Sequence, residues 1–271
     1  MLSKIINKTC RKIEKIISKR KINPILTIWL NFRCLPFSQA RRFPIYVYGR
    51  AKLYNTSCKI IIEAPVKAGM IKFNYPNIWG PSIMDFQSEF NCSGKIIFKG
   101  GGYFGTGSKI CIKPNATVEI GDHFKIADCV NIGCANYIKI GNKCRITHRC
   151  QIFDTNYHYL VSMKNRTIRR KTQTVNIGNS CWICNSSTIS PGTILPDYTI
   201  VGSNSLVNKD FSDIPSYSLI AGIPAKYLCN GFIRLENCRF EEQVDEYFKT
   251  HQDNIFRIPD MWDIANISKI L

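Results

Sequence analysis

Aliphatic residues recur at every sixth position in the second half of the chain. From residue 177 onward the sequence reads IGNSCW, ICNSST, ISPGTI, LPDYTI, VGSNSL and VNKDFS. A period of six fits neither the 3.6-residue period of an α-helix nor the alternation of a long β-strand. It predicts very short strands separated by sharp corners. The aliphatic positions of this series are Ile177, Ile183, Ile189, Leu195, Val201 and Val207.

Earlier residues show the same period in two shorter series, Ile120, Ile126 and Ile132, and then Ile140, Ile146 and Ile152. The residue two places before many of these positions is small or β-branched, and residues i−2 and i share one face of a strand. Three such strands closing a turn of about 18 residues predict a triangular prism filled by paired side chains. The small residues are Cys144, Cys150, Cys181, Ser187, Thr193, Thr199 and Ser205.

Outside these series the pattern changes. Residues 45–114 keep a looser, glycine-rich periodicity, as in FKGGGYFGTGSKICI. Residues 2–16 show helical spacing with lysine and arginine on the other face, and RLENCRFEEQVDEYFKT predicts an acidic amphipathic helix. We therefore expect an all-β solenoid, with a basic N-terminal helical segment at 1–44, a β-helix domain at 45–229 with a loop at 156–174, and a C-terminal helical extension at 230–271.

Composition narrows the class of protein. The chain has 271 residues, 45% of them hydrophobic, so it can bury a sizeable core. Its thirteen cysteines occur without a signal-peptide pattern, which favours a reducing, cytoplasmic compartment. No apolar run is long enough to span a bilayer.

The formal net charge of +18 is concentrated near the N-terminus, where Glu14 is the single acid among residues 1–50. The basic helix predicted there could pack on a neighbouring subunit or lie peripherally on the inner, anionic face of a membrane. Nucleic acid is not the expected partner, because the bases gather on this segment and one loop without a recognition motif.

The repeat is interrupted once in its regular half, after Asp154. The inserted text, NYHYLVSMKNRTIRRKTQT, contains His158 and no acid. A long excursion from a solenoid is typically functional, and its positive charge would attract acidic or phosphorylated ligands. A positioned imidazole can take a proton from a sugar hydroxyl, so His158 is the candidate general base. The bases of the insertion are Lys164, Arg166, Arg169, Arg170 and Lys171.

The tandem [LIV]-G-x4 units and the closing segment SLIAGIPAKYL resemble the bacterial transferase hexapeptide-repeat family. The resemblance implies a left-handed parallel β-helix, a homotrimer, and acetyl-CoA as co-substrate in a cleft between solenoids. Within that family the chain is most similar to galactoside, maltose and polysaccharide O-acetyltransferases. His158 of this chain matches the position of their catalytic histidine. Asp154 is expected to orient that histidine, although relatives carry a second acid where this chain has Asn156.

The same resemblance implies a set of residues that bind acetyl-CoA. Trp182 matches a tryptophan beside the pantetheine arm, and Lys226 matches a base near the phosphates, for which Lys209 is a further candidate on charge alone. Cys184 and Cys229 depart from the residues usual at their positions. The positions matching other contacts to CoA are Asn185, Ser203 and Asn208.

The expected function is therefore transfer of an acetyl group from acetyl-CoA to a sugar hydroxyl, in surface polysaccharide or capsule biosynthesis. An amino acid or a nucleotide-linked amino sugar remains open as acceptor, as does a non-catalytic or metal-dependent β-helix.

Two rival sites use other residues of the repeat. His148 competes as the base but lies within a regular repeat, and Cys181 and Cys184 have the spacing of a redox pair without the usual βαβ context. No metal is expected, because His123, His148 and His158 differ in repeat phase and are poorly placed to converge on one zinc ion.

Overall fold

The computed structural model describes residues 21–76 and 86–260 of the chain. The predicted basic helix at residues 2–16 lies outside them. The chain divides into two compact units, with the boundary between Asn230 and Gly231. The first unit is a solenoid of short strands on three faces, and the second contains a single described helix.

Successive strands pass from face 1 to face 2 to face 3 and back, so that each coil contributes one strand to each face. Face 1 consists of β1 (Ile45–Val47), β4 (Ile71–Tyr75), β7 (Gly102–Gly105), β10 (Phe124–Ile126), β13 (Arg145–Ile146), β18 (Trp182–Ile183), β21 (Ile200–Val201), β23 (Ser218–Gly222) and β24 (Ala225–Asn230). Face 2 consists of β2 (Lys52–Thr56), β5 (Glu89–Cys92), β8 (Lys109–Ile112), β11 (Asn131–Cys134), β14 (Gln151–Phe153), β19 (Thr188–Ile189) and β22 (Leu206–Val207). Face 3 consists of β3 (Lys59–Ile62), β6 (Lys95–Phe98), β9 (Thr117–Ile120), β12 (Tyr137–Ile140), β17 (Val175–Ile177) and β20 (Ile194–Leu195).

Pairing between coils is parallel and keeps the repeat in register. Trp182 pairs with Ile200, and Thr188 pairs with Leu206, each a step of 18 residues. Only β23 and β24 pair antiparallel within the three described faces. The fold class is confirmed as the all-β solenoid of parallel coils that the repeat predicted.

The inward positions are those that the repeat predicted. Ile146, Ile183, Ile189 and Val201 have no exposed surface, and the small residues two places earlier are also buried. Phenylalanine takes over this role in the earlier coils, where the ring centroids of Phe104 and Phe124 lie 5.1 Å apart. The core is therefore one continuous column inside the prism.

An Asn/Asp ladder holds the corner between faces 3 and 1. The side chain at each step accepts a hydrogen bond from a backbone N–H in the coil before it: Asp122 from Gly101 at 2.7 Å, Asn142 from Asp122 at 2.8 Å, Asn179 from Asn142 at 2.9 Å, and Asp197 from Asn179 at 2.7 Å. Strands that turn sharply leave such amides without a ladder partner, and a short polar side chain satisfies them. In the sequence these side chains are the last residues of the tripeptides IGD, IGN, IGN and LPD.

Helix α1 (Pro24–Cys34) covers the free edge of the first described strand. Asn23 caps it by accepting from the Leu26 amide at 3.1 Å, and Pro24 occupies its first turn. The amide of buried Asn31 donates to the Ile45 carbonyl at 2.7 Å and accepts from the Ile45 N–H at 3.1 Å. Buried Thr27 accepts from the Val47 amide at 3.1 Å. These bonds satisfy an edge that would otherwise be open to pairing.

A one-turn helix, α2 (Phe37–Ala40), follows before the solenoid begins. In the second unit, α3 (Cys238–Thr250) confirms the acidic C-terminal helix and starts where Asn237 accepts from the Arg239 amide at 3.1 Å. No helix of the described residues has the length and apolarity needed to cross a membrane.

Replacing an inward residue should cost far more stability than replacing an outward one on the same face. We expect Ile183→Ala to lower the free energy of unfolding by about 3 kcal/mol, because its cavity lies in a closed column. Half-buried Ile200 faces outward on β21, and Ile200→Ala should cost less than about 1 kcal/mol. Urea denaturation followed by circular dichroism compares the two, and equal losses would contradict a core confined to the inward column.

Candidate active site

The insertion after β14 is a closed hairpin at the corner between faces 2 and 3. Its arms, β15 (Val161–Ser162) and β16 (Thr167–Ile168), pair antiparallel, and Thr155 bridges Thr172 at its base. The Gln173 amide donates to the Asp154 carbonyl at 2.9 Å, which joins the two ends of the excursion. The loop is thus a second small sheet anchored to the solenoid at this corner.

His158 lines a cavity of about 330 Å³ between this hairpin and the corner. The residue is exposed, and its backbone N–H donates to the Asn156 carbonyl at 2.7 Å. No described residue is hydrogen-bonded to its imidazole. The ring therefore faces a space that a ligand could enter. The lining residues are Asn156, His158, Leu160, Arg169, Arg170, Gln173, Ser190, Pro191, Leu206 and Asn208.

The cavity is electropositive. Arg169 and Arg170 are both exposed in its lining, which contains no carboxylate. Nearby, the Lys171 ammonium lies 4.9 Å from the centre of the Tyr159 ring. Two guanidinium groups beside an imidazole form a site for a carboxylate or a phosphate.

Asp154 is not bonded to His158. Its carboxylate is fully buried and accepts from the backbone amides of Ala135 and Asn136, both at 2.7 Å. The Cys134 thiol donates to it at 3.3 Å, and burial together with the Asp154 charge raises the pKa of that thiol. Asp154 thus stabilises the corner beneath the hairpin. It can affect the position of His158 only by fixing the base of the loop.

The residues matched to CoA contacts fall into three places. Asn208 lines the His158 cavity, and exposed Lys209 follows it, with its ammonium 4.9 Å from the centre of the Phe211 ring. Asn185 and Ser203 lie at the corner between faces 1 and 2, where the Ser203 hydroxyl donates to the Asn185 carbonyl oxygen at 2.8 Å. Asn208 and Lys209 therefore lie at a different edge of the prism from Asn185 and Ser203.

Trp182 and Lys226 lie on face 1. Half-buried Trp182 occupies an outward position of β18, between Arg145 and Ile200, and exposed Lys226 belongs to β24. In a triangular prism, face 1 is opposite the corner between faces 2 and 3 that carries His158. One chain therefore does not bring Trp182 or Lys226 to its own His158.

The other histidines occupy structural positions. The His148 carbonyl accepts from the Ser186 amide at 3.0 Å at a regular corner, and His123 has a positive φ of 55° with its Nδ1 2.9 Å from Asp122. His251 stacks on Tyr247 in the second unit, with ring centroids 4.1 Å apart. Within residues 21–76 and 86–260, no group of three or more His, Cys, Asp or Glu residues is placed to hold a metal ion.

The Cys181 thiol is unsuited to redox chemistry. It is buried and donates to the Pro196 carbonyl at 3.2 Å, and burial raises its pKa well above the usual value. A thiol that resists ionisation is a poor nucleophile. Cys181 is instead the buried residue two places before inward Ile183, and Cys184 directly follows that isoleucine.

Sequence reasoning missed five residues that line the cavity: Leu160, Gln173, Ser190, Pro191 and Leu206. Leu206 is the outward residue of the strand β22, directly before inward Val207. Ser190 and Pro191 form the corner after β19, stacked beneath the hairpin. The repeat phase of Ser190, Pro191 and Leu206 could have placed these residues at that corner. The sequence could not show that the hairpin folds over them.

Asp154→Asn should destabilise the protein because an amide NH₂ would face one of the two backbone N–H groups from which the carboxylate now accepts. We expect the free energy of unfolding to fall by about 2 kcal/mol in urea denaturation. Asp213→Asn, at an exposed carboxylate, should leave it unchanged. If Asp154→Asn kept full stability but lost acetyl transfer, Asp154 would act directly on His158 and its role at the corner would not be structural.

Sequence comparison finds relatives among acetyltransferases, and no family model matches the chain. It is 27% identical over 154 residues to WbbJ of Escherichia coli (strain K12), assigned as an O-acetyl transferase of lipopolysaccharide biosynthesis; the match spans 54% of this chain and 77% of WbbJ. It is also 41% identical over 56 residues to a chloramphenicol acetyltransferase of Morganella morganii, covering 21% of this chain and 25% of that enzyme.

Among solved structures, the polySia-specific acetyltransferase NeuO superposes with a TM-score of 0.44 at 16% identity, covering 80% of this chain and 91% of NeuO. The six-residue repeat, its three-faced parallel coil and the match to WbbJ agree with one another. The chain is therefore similar to acetyltransferases, in agreement with its resemblance to the bacterial hexapeptide-repeat transferase family.

Proposed function

We propose that the protein transfers the acetyl group of acetyl-CoA to a hydroxyl of a sugar in surface polysaccharide biosynthesis, with His158 as the general base. The observation that carries the proposal is the placement of His158 in an electropositive cavity beside Asn208, at a corner of a hexapeptide-repeat coil. The match to WbbJ over most of its length supports a glycan acceptor.

Acetyl transfer to a hydroxyl requires one general base from the protein. The acceptor hydroxyl gives its proton to the His158 imidazole as its oxygen attacks the thioester carbonyl, and the resulting tetrahedral oxyanion collapses with release of the CoA thiolate. The imidazolium then returns the proton to that thiolate. Base catalysis requires an imidazole with an available ring nitrogen within reach of the hydroxyl, and the cavity leaves the His158 ring accessible.

The guanidinium groups of Arg169 and Arg170 favour an acidic acceptor or one carried on a phosphate. They line the same cavity as His158, and no lining carboxylate neutralises them. A phosphate or carboxylate held by two arginines would fix the distance from the sugar ring to the base, which lowers the entropic cost of reaction.

The complete site requires a second copy of the chain, and we propose a trimer. Trp182 and Lys226 lie on face 1, opposite the corner of His158, so a neighbouring coil must present its own face 1 to complete the CoA cleft. The hairpin supports this, because its apolar side chains are exposed in a single chain and would be covered by a neighbour. These side chains are Tyr159, Leu160, Val161, Met163 and Ile168.

We place this reaction in the cytoplasm. Its donor, acetyl-CoA, is a cytoplasmic metabolite class, and the inward cysteines such as Cys144, Cys150 and Cys181 fill the core as thiols, which suits a reducing compartment.

His158→Ala should lower kcat for acetyl transfer by at least about 10²-fold, because the attacking hydroxyl loses its base. The matched variant His148→Ala removes a half-buried imidazole at a regular corner, and should change kcat by less than about threefold. Thiol release is measured with a fixed acceptor, and thermal unfolding checks that both variants fold. Near-normal turnover of His158→Ala would return the base role to another residue.

Mixing two inactive variants tests the shared site. If His158 of one subunit works with Trp182 of the next, oligomers reassembled from equal amounts of His158→Ala and Trp182→Ala chains contain intact sites at about a quarter of their interfaces. Activity should rise to about that fraction of the unaltered enzyme. A mixture that stays as inactive as either variant alone would show that each chain builds its own site.

A further inference from the structure

Helix α1 buries one face and exposes another that is equally apolar. Its inner face, with Thr27, Leu30, Asn31 and Cys34, is buried. The outer positions recur with the 3-1-3 spacing of a single helical stripe, and Ile25 is 76% and Trp29 56% exposed. We call this outer set, with one residue just beyond the helix, the apolar stripe: Ile25, Ile28, Trp29, Phe32 and Phe37.

The stripe cannot turn inward. The hydrogen bonds from Asn31 to Ile45 and from Val47 to Thr27 fix the rotation of α1 against β1. At the end of the helix, the Phe32 ring packs 6.1 Å from Phe37 and 5.6 Å from Phe43, measured between centroids. The solenoid therefore holds a large apolar surface in a fixed outward orientation.

The segment that carries the stripe has charged side chains of one sign. Residues 21–50 contain no aspartate or glutamate, and every lysine and arginine among them is exposed. An apolar stripe with tryptophan and phenylalanine, in a segment whose charged residues are all basic, has the chemistry of a helix that lies in the interface of an anionic bilayer. The bases are Lys21, Arg33, Arg41, Arg42 and Arg50.

We propose that the apolar stripe of α1 docks the protein on an anionic lipid surface. The helix has 11 residues and no described helix is a candidate to span a membrane, so it would lie in the plane of the interface. A second copy of the chain fits less well, because a self-contact through this face would bring the same bases together. The inference is independent of the acetyl transfer proposed above.

The test uses the full chain and vesicles of phosphatidylcholine with or without phosphatidylglycerol. We expect sedimentation with the anionic vesicles, weak binding to the neutral ones, and a partition coefficient about tenfold lower for Ile25→Glu. The matched control is Ile255→Glu, because Ile255 is 75% exposed and lies in the second unit. It should partition like the unaltered chain.

A second variant reports where the stripe lies. Entry of Trp29 into the interface should shift tryptophan emission to shorter wavelength, and Trp29→Phe should remove most of that shift while the protein still sediments. Size-exclusion chromatography of Ile25→Glu should show an unchanged oligomeric state, and its thiol release with a soluble acceptor should equal that of the unaltered chain.

Three outcomes would overturn the proposal. Unchanged vesicle binding by Ile25→Glu would assign any binding to residues outside the stripe. Equal binding to neutral and anionic vesicles would remove the role of the bases. A change in oligomeric state with no vesicle binding by the unaltered chain would make this face a contact between copies.

Discussion

Parallel backbone pairing between successive coils is the constraint on which the rest of this structure depends. Because Trp182 pairs with Ile200 and Thr188 with Leu206, every inward position sits directly over its counterpart one coil earlier, and the column of Ile146, Ile183 and Val201 follows. The same stacking brings one corner residue over the next, which creates the Asn/Asp ladder. It also makes the three edges of the prism chemically distinct, since each edge stacks its own set of side chains.

The candidate site lies where the hairpin interrupts the regular coils. Asp154, fully buried at the end of a regular strand, binds the backbone of the previous coil with both oxygens and so fixes the point where the hairpin leaves. His158 can then be exposed to a ligand while the chain on both sides stays anchored. The same arrangement places Trp182 and Lys226, the residues expected at the CoA cleft, on the opposite face of the prism.

The later coils could be predicted from sequence because a six-residue period leaves little freedom: an aliphatic residue such as Ile189 at a fixed phase must point inward. The earlier coils were harder, since phenylalanines such as Phe73 and Phe104 fill the column and register shifts occur between Lys72 and Tyr75. The loop and its histidine were visible as a break in the period. The bonding of Asp154 to Ala135 and Asn136 was not, because residues 19 and 18 positions apart meet only through the coil. Nor could spacing show that the outer face of α1 stays exposed.

The most direct test of acetyl transfer at His158 is thiol release from acetyl-CoA by the purified protein, with calorimetric binding of acetyl-CoA measured in the same sample. Neutral sugars, acidic sugars, amino sugars and a sugar phosphate serve as acceptors. We expect acetyl-CoA to bind and thiol release to depend on an acceptor, fastest with an acidic or phosphorylated sugar bearing a free hydroxyl. Failure to bind acetyl-CoA, or release only with an amino group as acceptor, would contradict sugar O-acetylation by this protein.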